Sequence, residues 1–228
     1  MPPGLIVRCL SELLGTALLV GIGTGSIVAG ANAGGVAQWV LAVAWFVAVA
    51  VPVFLLARVS GSHINPAVTV ALATSGRFPW RETPAYVAAQ VAGAFVGSSL
   101  VLAFLGSAAH IGATLPRDDN LWLIVPLELP FTMLLMLTVL YLTTPGKIVR
   151  QVELFLPAAA VGISTFVIGP WTGSSLNPAR TLAPGVLSSD FFGIGLYFFA
   201  VLAGALIAVL LWKSGHRRAD GSPVNRSR

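Results

Sequence analysis

Asn65 and Asn177 stand 112 positions apart in a chain of 228 residues, and each opens the tripeptide Asn-Pro-Ala: Asn65-Pro66-Ala67 and Asn177-Pro178-Ala179. A carboxamide offers two N–H donors and one acceptor. Followed by proline it matches a helix start, with Asn as the cap and Pro at the first helical position. A helix start is also a partial positive charge. Two such starts brought together suit a neutral hydrogen-bonding molecule and repel a cation. Arg180 falls three residues after Asn177 and adds a fixed positive charge, while His63 falls two before Asn65. Glu12 and Glu128 each lie early in an apolar run, 116 positions apart. No Ser/His or Asp/Asp pair and no phosphate-binding glycine loop accompanies them, so the pattern is not that of an enzyme and implies no cofactor. The single cysteine, Cys9, excludes an internal disulfide and a cysteine metal site, and no second His stands at ligand spacing, so no metal is expected.

The elements that must position these groups are spelled out by composition. Hydrophobic residues make up 56% of the chain, charged residues only 9%, and the mean hydropathy is +0.88. Soluble domains carry about 25% charged residues. Six runs approach the roughly 20 apolar residues that a bilayer span needs: about Leu10–Ala31, Trp39–Ala57, Pro84–Leu105, Leu121–Leu142, Glu153–Trp171 and Phe191–Trp212. The first exceeds the about 7–15 residues of a signal core and carries Glu12, so it reads as a true helix. Ala67 to Thr74 and Ala179 to Val186 are too short to cross. Each makes a half-helix of ~15 Å at 1.5 Å per residue, about half of the ~30 Å hydrocarbon core. Short interrupted segments at matching positions of two halves point to a substrate path at the membrane midplane. The irregular backbone before each cap, Gly61, Ser62, His63 and Ile64 in one half and Thr172, Gly173 and Ser175 in the other, must line protein or a watery lumen.

Each half thus holds three spans and one half-helix. Three is odd, so the second half enters from the opposite face, an inverted 3+3 repeat within one all-α membrane domain spanning residues 1–228. Repeat one covers about residues 8–106 and repeat two about 121–212, with a basic tail at 213–228. Gly93-Ala94 and Gly204-Ala205 repeat as well, and these glycines with Gly15, Gly21, Gly25 and Gly97 let helices approach closely.

A net charge of +5 invites a nucleic-acid reading, but placement rejects it. An even number of spans puts eleven of the thirteen Lys and Arg residues on the side of both termini, leaving Arg117 outside and Arg180 within the second half-helix. That asymmetry marks the terminal side as cytoplasmic, in a plasma or inner membrane. The tail Lys213–Arg228 reads as disordered and faces the lipid headgroups. His110 falls in the outer loop and reads as without a role.

Ser11-Glu12-Leu13-Leu14-Gly15-Thr16, the segment SGSHINPAVTVA, the segment TGSSLNPARTLAP and the repeated glutamate together resemble the aquaporin and glycerol-facilitator family of major intrinsic proteins, from about Ser11 to Trp212. The resemblance implies six tilted helices and two half-helices around one pore, in a homotetramer. It makes Asn65 and Asn177 the central donors, with Pro66, Ala67, Pro178 and Ala179 stacking the half-helices. Glu12 and Glu128 become supports of the re-entrant loops, and Trp45, Thr165, Ser174 and Arg180 the selectivity filter. Trp45 matches the glycerol-passing type and Thr165 lacks the bulky His of strict water channels. Ser174 and Thr181 depart from the glycerol type. The set resembles the nodulin-like plant branch. The expected activity is passive passage of water and small neutral solutes, glycerol included, without ions or protons. A water-selective channel, a metalloid channel for arsenite or boric acid, and more remotely a coupled transporter are the rivals.

Overall fold

The computed structural model describes residues 3–220, among which there are eight α-helices and no strand. Six are long and apolar enough to cross a bilayer: α1 (Leu5–Asn32), α2 (Gln38–Ser60), α4 (Thr83–Leu105), α5 (Ile124–Leu142), α6 (Leu156–Thr172) and α8 (Ile194–Asp220). The other two, α3 (Pro66–Ser75) and α7 (Pro178–Leu187), are the half-helices. Every span and both half-helices expected from hydropathy are present, with ends displaced by a few residues. One expectation fails. The stretch after Lys213 continues α8 to Asp220 instead of leaving the helix, because residues 213–220 hold a single Gly and no Pro and extend a helix that the preceding apolar turns already nucleate. Residues 221–228 of the tail lie outside the described residues.

Local chemistry sets the boundaries. α2 stops at Gly61 and α6 at Gly173, both in the left-handed region (φ 89° and 75°) that glycine adopts without strain. Asn65 and Asn177 are extended (φ −158° and −153°) and cap α3 and α7 through their side chains, with Pro at the first helical position. The chain between cap and glycine is unusual. Ser62 and Ile64 take φ of 48° and 44°, and Ser174 and Leu176 take 48° and 53°. A β-branched Ile at positive φ is costly, so something must hold it there.

The packing repeats as the termini do. α1 lies most closely on α4, and α5 on α8. These pairs meet backbone to backbone: a Cβ on Gly93 would sit 2.2 Å from the Leu13 carbonyl oxygen, and one on Gly204 would sit 2.4 Å from that of Leu129. Lipid supplies no hydrophobic drive between helices, so close backbone approach is the source of adhesion. α2 and α6 cross between the two pairs, and the half-helices fill the centre, α3 against α4, α5 and α8, α7 against α4 and α8.

This seam yields a prediction. Gly93→Val forces two backbones apart and should cost at least about 3 kcal/mol, the upper range of ordinary overpacking, or prevent folding. Gly21→Ala, whose new Cβ would meet its nearest neighbour at 3.8 Å, should stay within about 1 kcal/mol. Thermal unfolding of the purified protein in detergent, followed by size-exclusion chromatography, separates the two.

Candidate functional site

The tips of α3 and α7 meet at the centre of the molecule. Asn65 Nδ2 donates to the Leu176 carbonyl at 2.8 Å, and Asn177 Nδ2 donates to the Ile64 carbonyl at the same distance. Each amide oxygen meanwhile accepts from its own helix: Ala67 N–H at 2.9 Å, and Ala179 N–H at 3.0 Å with Arg180 N–H at 3.4 Å. Each amide therefore uses its oxygen locally and one N–H on the opposite loop. The second N–H of each is left for whatever passes, and both asparagines line the central cavity.

The loops that carry these carbonyls hang from the two buried glutamates. Glu12 accepts from Ser60 Oγ (2.7 Å), His63 N–H (2.9 Å), Ile64 N–H (2.7 Å) and Gln90 Nε2 (2.8 Å). Glu128 accepts from Thr172 Oγ1 (2.7 Å), Ser175 N–H (2.9 Å) and Leu176 N–H (3.1 Å). Neither carboxylate is exposed. Tyr86 donates to the Ser60 carbonyl and Tyr197 to that of Thr172, at 2.9 and 2.6 Å. These anchors were absent from the sequence reading. The tyrosines keep the 111-residue offset of Gly93 and Gly204, which is the signal that could have found them. Gln90 carried no such signal, because its counterpart is Val201.

His63 anchors its loop as expected: Nδ1 lies 3.2 Å from Thr69 Oγ1, and the ring packs on Phe78 and Tyr86. In the other half Ser175 takes its place, its hydroxyl bonded to Thr181 Oγ1.

A cavity of about 780 Å³, its open mouths included, runs past both asparagines. One wall is the polar strip Gly61, Ser62, His63 and Ile64, and much of the rest is Leu19, Val49, Val53, Leu135, Val139 and Val161. Trp45 and Arg180 also line it. The Arg180 guanidinium stacks 4.6 Å from the centre of the Trp45 ring. Its Nη1 donates to the Gly112 carbonyl at 2.7 Å and its Nη2 to that of Gly173 at 3.4 Å. Arg180 Nε has no partner within the protein. Trp45 can lie flat here because Gly23 opposes it; a Cβ there would be 2.6 Å from the ring.

The other two expected filter residues are placed differently. Thr165 and Ser174 are buried near this region but do not line this cavity. Thr165 is held through its carbonyl by Gln38 Nε2. Ser174, in the left-handed region, has its N–H on Thr172 Oγ1 at 3.3 Å and its hydroxyl without a partner. His110, read as without a role, lies against Asp190, Nδ1 to Oδ2 at 3.3 Å. Residues 80 positions apart in two loops without period, one between α4 and α5 and one between α7 and α8, cannot be paired from sequence.

Comparison with known proteins places this geometry. The family model described as Major intrinsic protein matches residues 3–212. Aquaporin NIP1-1 of Zea mays is 35% identical over 203 residues, covering 88% of this chain and 72% of that protein. Aquaporin NIP2-3 of Zea mays is 34% identical over 224 residues, covering 98% and 73%. The X-ray structure of the aquaglyceroporin from Plasmodium falciparum superposes with a TM-score of 0.81 at 25% identity, covering 96% of this chain and all of that one.

Glu128→Ala leaves two buried N–H groups and a hydroxyl without an acceptor, each worth about 1–3 kcal/mol. Folded protein should be lost or strongly destabilised. Glu128→Gln keeps one acceptor oxygen and should retain an intermediate melting temperature. A Glu128→Ala protein as stable as the wild type would remove the carboxylate from its supporting role.

Proposed function

The chain belongs to the major intrinsic protein family and is a membrane channel for water and small solutes, not an enzyme; we propose that glycerol is among the solutes it passes, and that ions and protons are refused. The observation that carries this reading is the two-sided cavity. A polyol presents hydroxyls along one edge and C–H groups along the other, and the cavity offers a polar strip opposite aliphatic walls. Asn65 and Asn177 would take a hydroxyl or water oxygen midway. Trp45 would lie against the carbon backbone while Arg180 Nε donates to a hydroxyl, with Thr165 and Ser174 setting the width from behind. The likeness to a solved aquaglyceroporin supports the same reading.

Refusal of cations follows from charge. Two positive helix ends converge at the asparagines, and Arg180 adds a full charge at the cavity wall. Its partners are carbonyls and an indole rather than an acid. The basic asymmetry of the loops argues for cytoplasmic termini and a plasma or inner membrane. The exposed apolar faces fit lipid and neighbouring protomers of a homotetramer.

Reconstitution tests the proposal. Stopped-flow light scattering on proteoliposomes should show rapid, weakly temperature-dependent water flux, with glycerol entry well above that of empty liposomes. Glycerol entry equal to that of empty liposomes, with water flux intact, would make the channel water-selective. Arsenite and urea gradients extend the series. Arg180→Val should keep solute flux and gain cation or proton conductance by roughly tenfold or more, since one charge at about 4 Å in an effective dielectric near 20 is worth about 4 kcal/mol. Unchanged conductance under voltage clamp would refute that role.

A further inference from the structure

The filter arginine is held by a segment outside both half-helices. Ala108–Gly112, a 3-10 turn in the outer loop, has three consecutive non-glycine residues in the left-handed region: Ala109 (φ 47°, ψ 40°), His110 (51°, 38°) and Ile111 (57°, 27°). L-residues avoid such runs, and they persist only where the surroundings over-determine them. Four contacts do so here, all at α7 or its neighbours. The Gly112 carbonyl oxygen accepts from Arg180 Nη1, and a Cβ on Gly112 would stand 2.9 Å from Thr24. Thr114 Oγ1 bonds Thr181 Oγ1 at 3.1 Å, beside Arg180. Ile111 is fully buried with Val28 and Val101, against Leu187 at the far end of α7. His110 reaches Asp190, just beyond that end, at 3.3 Å. Asp190 is itself fixed, with its N–H on the Gly185 carbonyl (2.8 Å) and its Oδ1 accepting from Phe192 N–H (3.2 Å). The turn thus grips α7 at both ends.

We propose that the His110–Asp190 pair is a positioning clasp for Arg180: it holds the strained turn so that the Gly112 carbonyl keeps the guanidinium against the wall of the pore. With the clasp open, the turn relaxes, Arg180 loses its shorter carbonyl bond, and its guanidinium is free to swing across the lumen. The clasp responds to pH on the outer side. Protonated imidazole makes an ion pair with Asp190, while neutral imidazole makes at most an ordinary hydrogen bond, and histidine is the side chain that changes charge between about pH 5 and 8. No competing charge faces His110 from the packed helices. The outer ends of α1 and α4 carry none, α7 carries only Arg180 at its other end, and Arg117 further along the loop is engaged by Asp118 and the Trp171 ring.

The inference rests on Arg180 as the filter residue, and the test keeps the two apart. Osmotic water permeability is measured in intact cells expressing the protein, at external pH of about 5.5 and about 8. The wild type should be about twofold to fivefold more permeable at the acid pH, the range over which a half-exposed ion pair can weight two states of a loop. His110→Ala and Asp190→Asn should be low and independent of external pH, and their combination no lower than either alone. His110→Asn, which tolerates the left-handed backbone and keeps a donor near the Nδ1 position, should restore permeability without restoring pH dependence. A wild-type profile in His110→Ala, or additive losses in the double variant, would overturn the clasp. Unchanged ion conductance in Arg180→Val alone would overturn the filter reading instead.

Discussion

Backbone inside a bilayer must find its hydrogen-bond partners within the protein, and everything in this molecule follows from how two short loops meet that demand. Each loop turns its carbonyls toward the lumen by placing alternate residues, Ser62 and Ile64 or Ser174 and Leu176, in the left-handed region. That geometry points the N–H groups the other way, into protein. There Glu12 and Glu128 collect them with charge-assisted bonds of 2.7–3.1 Å. A neutral acceptor would offer weaker bonds, and an unpaired carboxylate at this depth would be prohibitive. Strain, charge and polar lumen are therefore one arrangement. The carboxylate tolerates burial because the loop supplies donors, and the loop tolerates strain because the carboxylate takes them.

The two halves share this frame and differ along the cavity wall. At the 112-residue offset, Trp45, Thr165, Ser174 and Arg180 correspond to Pro157, Val53, Ser62 and Val68. All four of the latter line the same cavity. The cavity on one side of the asparagine pair is thus an uncharged, mainly aliphatic throat, and on the other side it carries the guanidinium and the indole. His63 against Ser175 and Gln90 against Val201 are the matching departures in the supporting layer. Duplication gives a symmetric skeleton, and the divergent positions make it a pore with distinct ends.

That skeleton was legible in the sequence because it rests on periodic or repeated signals. Apolar runs mark spans, Asn-Pro marks a helix start, and glycines at a constant offset mark the seams. Counting from the asparagines led to Trp45 and Arg180, and both line the cavity. Counting fixes position along a helix but not which neighbour meets the side chain. Thr165 and Ser174 therefore lie at the expected positions without lining this cavity. The Gly112 carbonyl and the His110–Asp190 pair were invisible for another reason. They belong to a non-helical loop whose course is set by contacts with α1, α4 and α7, and local sequence encodes none of those contacts.

The choice of partners for Arg180 is the last constraint. A fully buried guanidinium needs acceptors, and a carboxylate is the strongest available. A carboxylate bonded directly to it would also largely cancel its charge. The two carbonyls and the indole face hold Nη1, Nη2 and the plane of the group without placing an acid against it. Carbonyl partners must come from loops or helix ends, because carbonyls inside a helix are already committed to it. Gly112 and Gly173 supply such oxygens because each lies at a helix end, one closing the 3-10 turn 108–112 and one capping α6, where the last carbonyls have no partner within the helix. The irregular loops beside Arg180 thus serve the arginine as much as the channel: they supply it uncharged oxygens, while Glu128 acts on it through the field and without a direct bond.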